Sequence, residues 1–293
     1  MASAPILSAL SELSALRSLS LVMQWGRVVP AAGLELLQLE DLQLRWGEFT
    51  GGLLEILQRS SFPRLERLEM KMEGTNPTSS HVMPTVANII AKRFRQLQRI
   101  TIITATSLQF SDISSLALHG LTHFTIQLGN VFEPLMIVSP EALCDFLCRS
   151  AKLQVLQIYS SFTNLTDAEP VLLKPFEVLE ICSQFGKQLR VLKLPLMLLP
   201  DVVIPEATTA TPFQKLETFH IPLGIISVAQ VPKMAKFLHQ VLPPGCKLIP
   251  LDLSSGSACY WAGVWIEWCK MRDPSELRSR DGSSYQMLYN LWK

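Results

Sequence analysis

The sequence lacks a paired-cysteine framework: its six cysteines, Cys144, Cys148, Cys182, Cys246, Cys259 and Cys269, contain no CxxC spacing. That excludes the common zinc motifs and a disulfide scaffold, and it suits reduced thiols in the cytoplasm or nucleus. The glycosylation sequon Asn164-Leu165-Thr166 is then idle. Net charge is nearly absent too. With 26 basic and 25 acidic residues the chain stands at +1, so its overall balance gives no pull towards nucleic acid or an anionic membrane. No segment supplies the roughly 20 apolar residues of a membrane span, and the run LPLMLLPDVVIP at 194–205 is broken by Asp201 and three prolines. The start, MASAPILSALSEL, has no basic cluster followed by an apolar run and a cleavage site, which argues against a secretory signal. Phosphate-cradling loops of the GxxxxGK[ST] and GxGxxG types, the HExxH zinc helix and the GxSxG elbow are all missing.

What the chain has is apolar substance and periodicity. Its 293 residues are 48% hydrophobic, enough to bury a sizeable core. Two stretches have loop composition, EGTNPTSS (73–80) and PEATTATP (205–212), but neither resembles an interdomain linker, and one continuous unit is expected. A spacing of apolar residues at i, i+3, i+6 and i+8 recurs in LSALRSLSL (13–21), LLQLEDLQL (36–44), FPRLERLEM (62–70), FRQLQRITI (94–102) and LHGLTHFTI (118–126). It continues, with Ser150 and Gly186 in the first place, in SAKLQVLQI (150–158), GKQLRVLKL (186–194) and FQKLETFHI (213–221). Successive matches are 23, 26, 32, 24, 32, 36 and 27 residues apart.

Within each unit the last two anchors alternate with polar residues, the period of a strand, and the preceding i+3 step is a turn leading into it. Helical stretches lie between the units. LLEILQR (53–59) follows two glycines, VANIIAKRF (86–94) follows Pro84, and SPEALCDFLCRS (139–150) opens with Ser139 as N-cap, Pro140 in the first helical position and Glu141 near the positive dipole end. Strand, loop, helix and return, repeated, build a right-handed α/β solenoid of eight to nine coils with a parallel concave sheet and helices on the convex face. This is the pattern of a leucine-rich repeat, made irregular by steps of 32 and 36 residues and by the lack, in most units, of the Asn or Cys that ties adjacent loops.

The repeats are expected to span residues 1–253, closing with a helix that runs to Pro243-Pro244-Gly245 and a short apolar strand. Residues 254–293 are expected to form helices that cap the array. In SACYWAGVWIEWCKMR, Trp261, Trp265, Trp268 and Cys269 fall on one helical face; an aromatic stripe at that spacing covers the last coil in preference to a ligand.

The irregular LxxLxxLxL units, FPRLERLE, FQKLETFHI, AKFLHQVLPPGC (235–246) and the Trp-containing terminal helix together resemble the leucine-rich-repeat region of the F-box proteins of mushroom-forming fungi. The resemblance covers nearly the whole chain. It implies a non-catalytic module that holds a protein to be marked for ubiquitination, while an F-box docks on a Skp-type adaptor and cullin. The repeats begin at Leu13 and no LPxEL-like opening stands near Met1, so adaptor and cullin are expected only if an F-box is encoded upstream. The alternative is a stand-alone intracellular scaffold or sensor.

Alternation also assigns the concave face. The first column runs Asp41, Arg67, Arg99 and His123; the second Gln43, Glu69, Thr101, Thr125, Gln157, Lys193 and His220; the third Arg45, Lys71, Ile103, Gln127 and Tyr159. The early strands are charged and mostly basic, and the later ones, with Val155, Tyr159, Val191, Pro195 and Pro222, turn apolar. Arg and aromatic residues in such a surface suit a protein partner, although alternating polar residues equally serve to solvate an exposed sheet. The candidate contact residues are Arg45, Arg67, Glu69, Lys71, Arg99, His123, Gln157, Tyr159, Lys193 and His220. No catalytic residue, cofactor, metal, nucleic acid or membrane is expected. His119 and His123 straddle a strand start and lack a third ligand. Cys144 and Cys148, one helical turn apart, are expected to be buried and inert.

Overall fold

The computed structural model describes residues 9–10, 12–23, 33–46, 51–72, 82–104, 108–128, 136–160, 175–194, 203–205, 212–221, 227–250 and 258–272. They group into two compact units, one formed by the chain up to Phe162 and the other from Pro170 onward. The loops expected at 73–80 and over most of 205–212, the sequon at Asn164, and Pro195 and Pro222 lie outside the described residues, as does the 253/254 boundary.

In the first unit the recurrent spacing has a hydrogen-bonding cause. The N–H of the second anchor donates to the carbonyl of the first in Leu39 to Leu36 (3.2 Å), Leu65 to Phe62 (3.2 Å), Leu97 to Phe94 (3.1 Å), Leu121 to Leu118 (3.0 Å) and Leu153 to Ser150 (2.9 Å). This i to i+3 bond is that of a β-turn, and it delivers the next two anchors into a strand. The resulting strands β1 (Ser18–Met23), β2 (Asp41–Trp46), β3 (Arg67–Met72) and β4 (Arg99–Thr104) are joined by β6 (His123–Leu128) and β8 (Val155–Ser160). All pair in parallel and in chain order.

No register slip occurs. Leu19, Leu42, Leu68, Ile100, Phe124 and Leu156 align as one row and Leu21, Leu44, Met70, Ile102, Ile126 and Ile158 as another, every one of them buried. The opening anchor Leu13 departs from this ladder and is 49% exposed.

The coils are tied at the entrance to each strand. The Arg17 carbonyl accepts from the N–H groups of Glu40 and Asp41, that of Glu40 from Glu66 and Arg67, that of Glu66 from Gln98 and Arg99, and that of Gln98 from Thr122 and His123. A carbonyl has two lone pairs, so one oxygen per coil holds two donors of the next, which supplies the loop tie that the sequence does not provide as Asn.

Helices cover the inner face: α1 (Gly51–Arg59), α2 (Met83–Arg93), the short α3 (Phe110–Ile113) with a 3-10 turn at Ser114–Leu116, and α4 (Pro140–Arg149). As expected, Ser139 caps α4, its Oγ accepting from the Ala142 N–H at 3.1 Å, with Pro140 in the first turn. Phe110, Phe124 and Phe146 form a mutual cluster with centroids 4.8 to 6.4 Å apart, which seats α3 and α4 against β6. A separate parallel pair, β5 (Leu108–Gln109) following β4 and β7 (Met136–Ile137) following β6, stands apart from the main sheet. One expectation fails here: Cys148 is exposed and Cys144 half-exposed, because the buried face of α4 is already filled by Leu143, Phe146 and Leu147.

The second unit repeats the plan with β9 (Val191–Lys193), β10 (Thr218–Ile221) and β11 (Lys247–Pro250), parallel and in order. Its helices are α5 (Pro175–Phe185), α6 (Val231–Val241) and α7 (Ala258–Arg272). Leu189 N–H again donates to the first anchor, Gly186, at 2.9 Å. A Cβ at Gly186 would stand 2.5 Å from the Cys182 carbonyl oxygen and 2.3 Å from Leu189 Cδ1, which is why this anchor has no side chain. Phe176 of α5 meets Phe237 of α6 edge-on at 4.7 Å.

α7 packs against α6 and β11. Trp265, Trp268 and Cys269 of the expected face are buried, and the Trp261 side chain lies outside the described residues. Val264 and Ile266 are buried as well, a wider apolar surface than one stripe, since two elements and not one are covered. The Arg272 guanidinium sits 4.1 Å from the Trp268 ring centroid and donates to the carbonyls of Leu242 (2.7 Å), Pro243 and Pro244 just past the end of α6. Parallel strands in consecutive register, most of them entered by a turn at the recurrent spacing and several followed by a helix, give each unit an α/β leucine-rich-repeat fold.

Candidate interaction face

Alternation leaves every second strand side chain on the face away from the helices. The register places Ser18, Asp41, Arg67, Arg99, His123 and Val155 in one column of the first unit, Ser20, Gln43, Glu69, Thr101, Thr125 and Gln157 in the next, and Val22, Arg45, Lys71, Ile103, Gln127 and Tyr159 in the third. These are the expected columns, now extended by β1. In β2, β3 and β4 the two classes alternate strictly, buried anchors against half-buried or exposed face residues.

The charges concentrate on three strands. Arg45, Arg67, Lys71 and Arg99 face Asp41 and Glu69 on β2 to β4, whereas the same face of β1, β6 and β8 carries no Asp, Glu, Lys or Arg. Arg67 Nε donates to Asp41 Oδ2 at 3.1 Å. Both partners are partly in water, so the pair contributes about 0 to 1 kcal/mol and serves chiefly to orient Arg67. Sequence reasoning listed Arg67 and Arg99 as equals; the structure separates them, because Arg99 has no carboxylate within ion-pair distance among the described residues. Arg45 has none either, and its Nε is buried without a hydrogen-bond acceptor.

His123 stands beside Arg99 in register. Burial, and secondarily the Arg99 charge, hold its pKa below the ordinary imidazole value. Thr122 Oγ1 donates its single proton to the Gln98 carbonyl (3.0 Å), so its 2.9 Å contact with His123 Nδ1 requires the imidazole proton on Nδ1. At the far side Tyr159 donates its hydroxyl to Gln127 Oε1 at 3.2 Å, and burial raises its pKa. The ring lies on the same face of β8 as Val155 and Gln157, on the uncharged strands.

In the second unit the corresponding face has Val191, Thr218 and Lys247 in one column and Lys193, His220 and Ile249 in the next. Burial lowers the pKa of Lys193; His220 is lowered by burial and then by Lys193. Ile249, 37% exposed, and Thr218 were not foreseen, although the strand at 247–250 was.

Burial raises Cys182 and Cys246 to about 12, and Cys144 is raised by burial and by its contact with Cys148. Among the described residues no three His, Cys, Asp or Glu side chains gather as a metal site. No described helix is long and apolar enough to cross a membrane. In the second unit a hollow of about 680 Å³ opens between Phe213, His239, Leu242, Pro243 and Arg272, away from the face residues named above.

Among solved structures the chain is similar to an internalin from Listeria monocytogenes str. 4b F2365, with 10% identity, 89% of this chain and 86% of that chain covered, and a TM-score of 0.26. No protein-family model and no curated protein matches the chain.

Proposed function

We propose that the protein is a non-catalytic interaction module whose outward sheet face binds a protein partner, in the manner of the substrate-recognition repeats of an F-box subunit of a cullin ubiquitin ligase. The observation that carries this reading is the division of the first unit's face into charged strands β2 to β4 and uncharged strands β6 and β8 that present His123, Gln157 and Tyr159. Arg and Tyr contribute heavily to protein interfaces, and a rigid parallel sheet presents them at fixed spacing without an ordering cost on binding. The contact residues on this reading are Arg45, Arg67, Glu69, Lys71, Arg99, His123, Gln157 and Tyr159, with Lys193 and His220 serving on the second unit. Thiols one turn apart, such as Cys144 and Cys148, fit a reducing compartment, cytoplasm or nucleus.

The ligase link is tested by tagging the endogenous gene at its 3′ end and identifying the product's N-terminus and companions by mass spectrometry. A longer product accompanied by a Skp-type adaptor and a cullin is the expected result. A product beginning at Met1 with other stable companions assigns instead the second reading, a stand-alone repeat scaffold.

A further inference from the structure

Charge on the first unit's face is unevenly compensated. Of four cations on β2 to β4, Arg67 is held by Asp41 at 3.1 Å, and Glu69 projects from the same face of β3 as Arg67 and Lys71. Arg45 and Arg99 have no carboxylate in reach among the described residues, and Arg45 Nε is a buried donor with no acceptor. An anionic group arriving at this face would compensate the charges of Arg45 and Arg99. Asp41 and Glu69 sit within the same patch and repel a continuous phosphate backbone, which favours discrete carboxylates over nucleic acid.

The spacing restricts the ligand further. Arg99, His123 and Val155 are consecutive across β4, β6 and β8. Two strand spacings amount to about 10 Å, between the reach of two and of four residues of extended chain, the separations at which side chains return to one face. Beyond His123, which carries no charge near neutral pH, Val155 and Tyr159 offer half-buried apolar surface.

Resting on the reading that this face binds a protein, we propose that the partner presents an extended acidic segment running across the strands. One carboxylate meets Arg99, an apolar side chain on the same face of the segment lies against Val155, and a further carboxylate reaches Arg45. The recognised motif is thus an acidic residue with an apolar residue two or four positions away, the spacings that share one face of an extended chain.

The test selects binders to the intact chain from a random-peptide display library, then measures a synthetic enriched peptide by fluorescence anisotropy. The wild type is compared with Arg99→Glu, the milder Arg99→Gln, Arg45→Glu and Tyr159→Ala, each checked for an unchanged melting temperature. Enriched peptides should share an acidic residue with an apolar residue two or four positions away, bind more weakly as salt rises, and lose about tenfold or more in affinity on Arg99→Glu. Peptides without acidic residues that still depend on Tyr159 would overturn the acidic motif while leaving the face as a protein-binding surface. Peptides indifferent to every face substitution, or no enrichment at all, would overturn both. Displacement of the peptide by a single-stranded oligonucleotide at lower concentration than by unlabelled peptide would also overturn the proposal.

Discussion

At the scale of single residues, environment decides which of several similar side chains is available. Arg67 and Arg99 are adjacent in the same column, yet Asp41, on a strand 26 residues earlier, restrains the first and leaves the second. His123 and His220 show the same dependence: burial, reinforced by Arg99 or Lys193, depresses both pKa values. A depressed folded-state pKa means that the unfolded chain binds the proton more readily, so the stability held by these neutral imidazoles is complete above about pH 6.5 and is lost as pH falls below it. The melting temperature should therefore drop between pH 7.5 and 5.5, and the double substitution His123→Gln, His220→Gln should make that drop smaller. An equal drop in the variant would show that the two histidines do not take part.

Arg272 makes the sharpest residue-scale case for packing. Its guanidinium is a fork aimed at three carbonyls beyond α6 and stacked on Trp268. Arg272→Ala should cost about 1 to 3 kcal/mol, read by chemical denaturation. Arg272→Lys should recover only part of the loss, because an ammonium cannot reproduce the planar fork.

At the scale of elements, one device recurs. The last-turn arginine of a helix reaches back to the carbonyls at the end of the helical segment before it: Arg93 to Gln58 and Ser60, Arg149 to Ser114, Arg272 to Leu242, Pro243 and Pro244. A cation is favourable at a helix C-terminus, where the carbonyls are orphaned, and here it links successive coils on the helical side as the shared carbonyls do on the strand side. None of this was legible in the sequence, since the partners lie 28 to 35 residues away and no local pattern marks them. The strands were legible, because one LxxLxxLxL spacing fixes turn, register and inward face together. Even Ser150 and Gly186, which break the apolar pattern, take the first-anchor place through their backbone carbonyls. The short pair β5 and β7 was not, as two-residue strands have no period to read. A further consequence concerns the phenylalanine cluster. Phe124→Ala removes the ring that Phe110 and Phe146 share and should destabilise by about 3 to 5 kcal/mol, while Gln127→Ala on the opposite face of β6 should cost far less, both read by denaturant titration.

At the scale of the whole molecule, the repeat separates stability from recognition. Buried anchors fill one side of each strand and leave the other free to vary, so the face residues can be exchanged without touching the core. The columns themselves followed from alternation alone and were readable in the sequence. What was not readable was the distribution of partners within them, which depends on carboxylates brought together only by folding. The separation gives a direct test of the central claim that the outward face binds a protein. The tagged chain and a variant carrying Arg67→Glu, Lys71→Glu, Arg99→Glu and Tyr159→Ala would be purified in parallel from native cells, matched for melting temperature, and their companions quantified by mass spectrometry. The account predicts at least one companion enriched with the natural face and lost with the altered one. Identical companions at identical levels would contradict it.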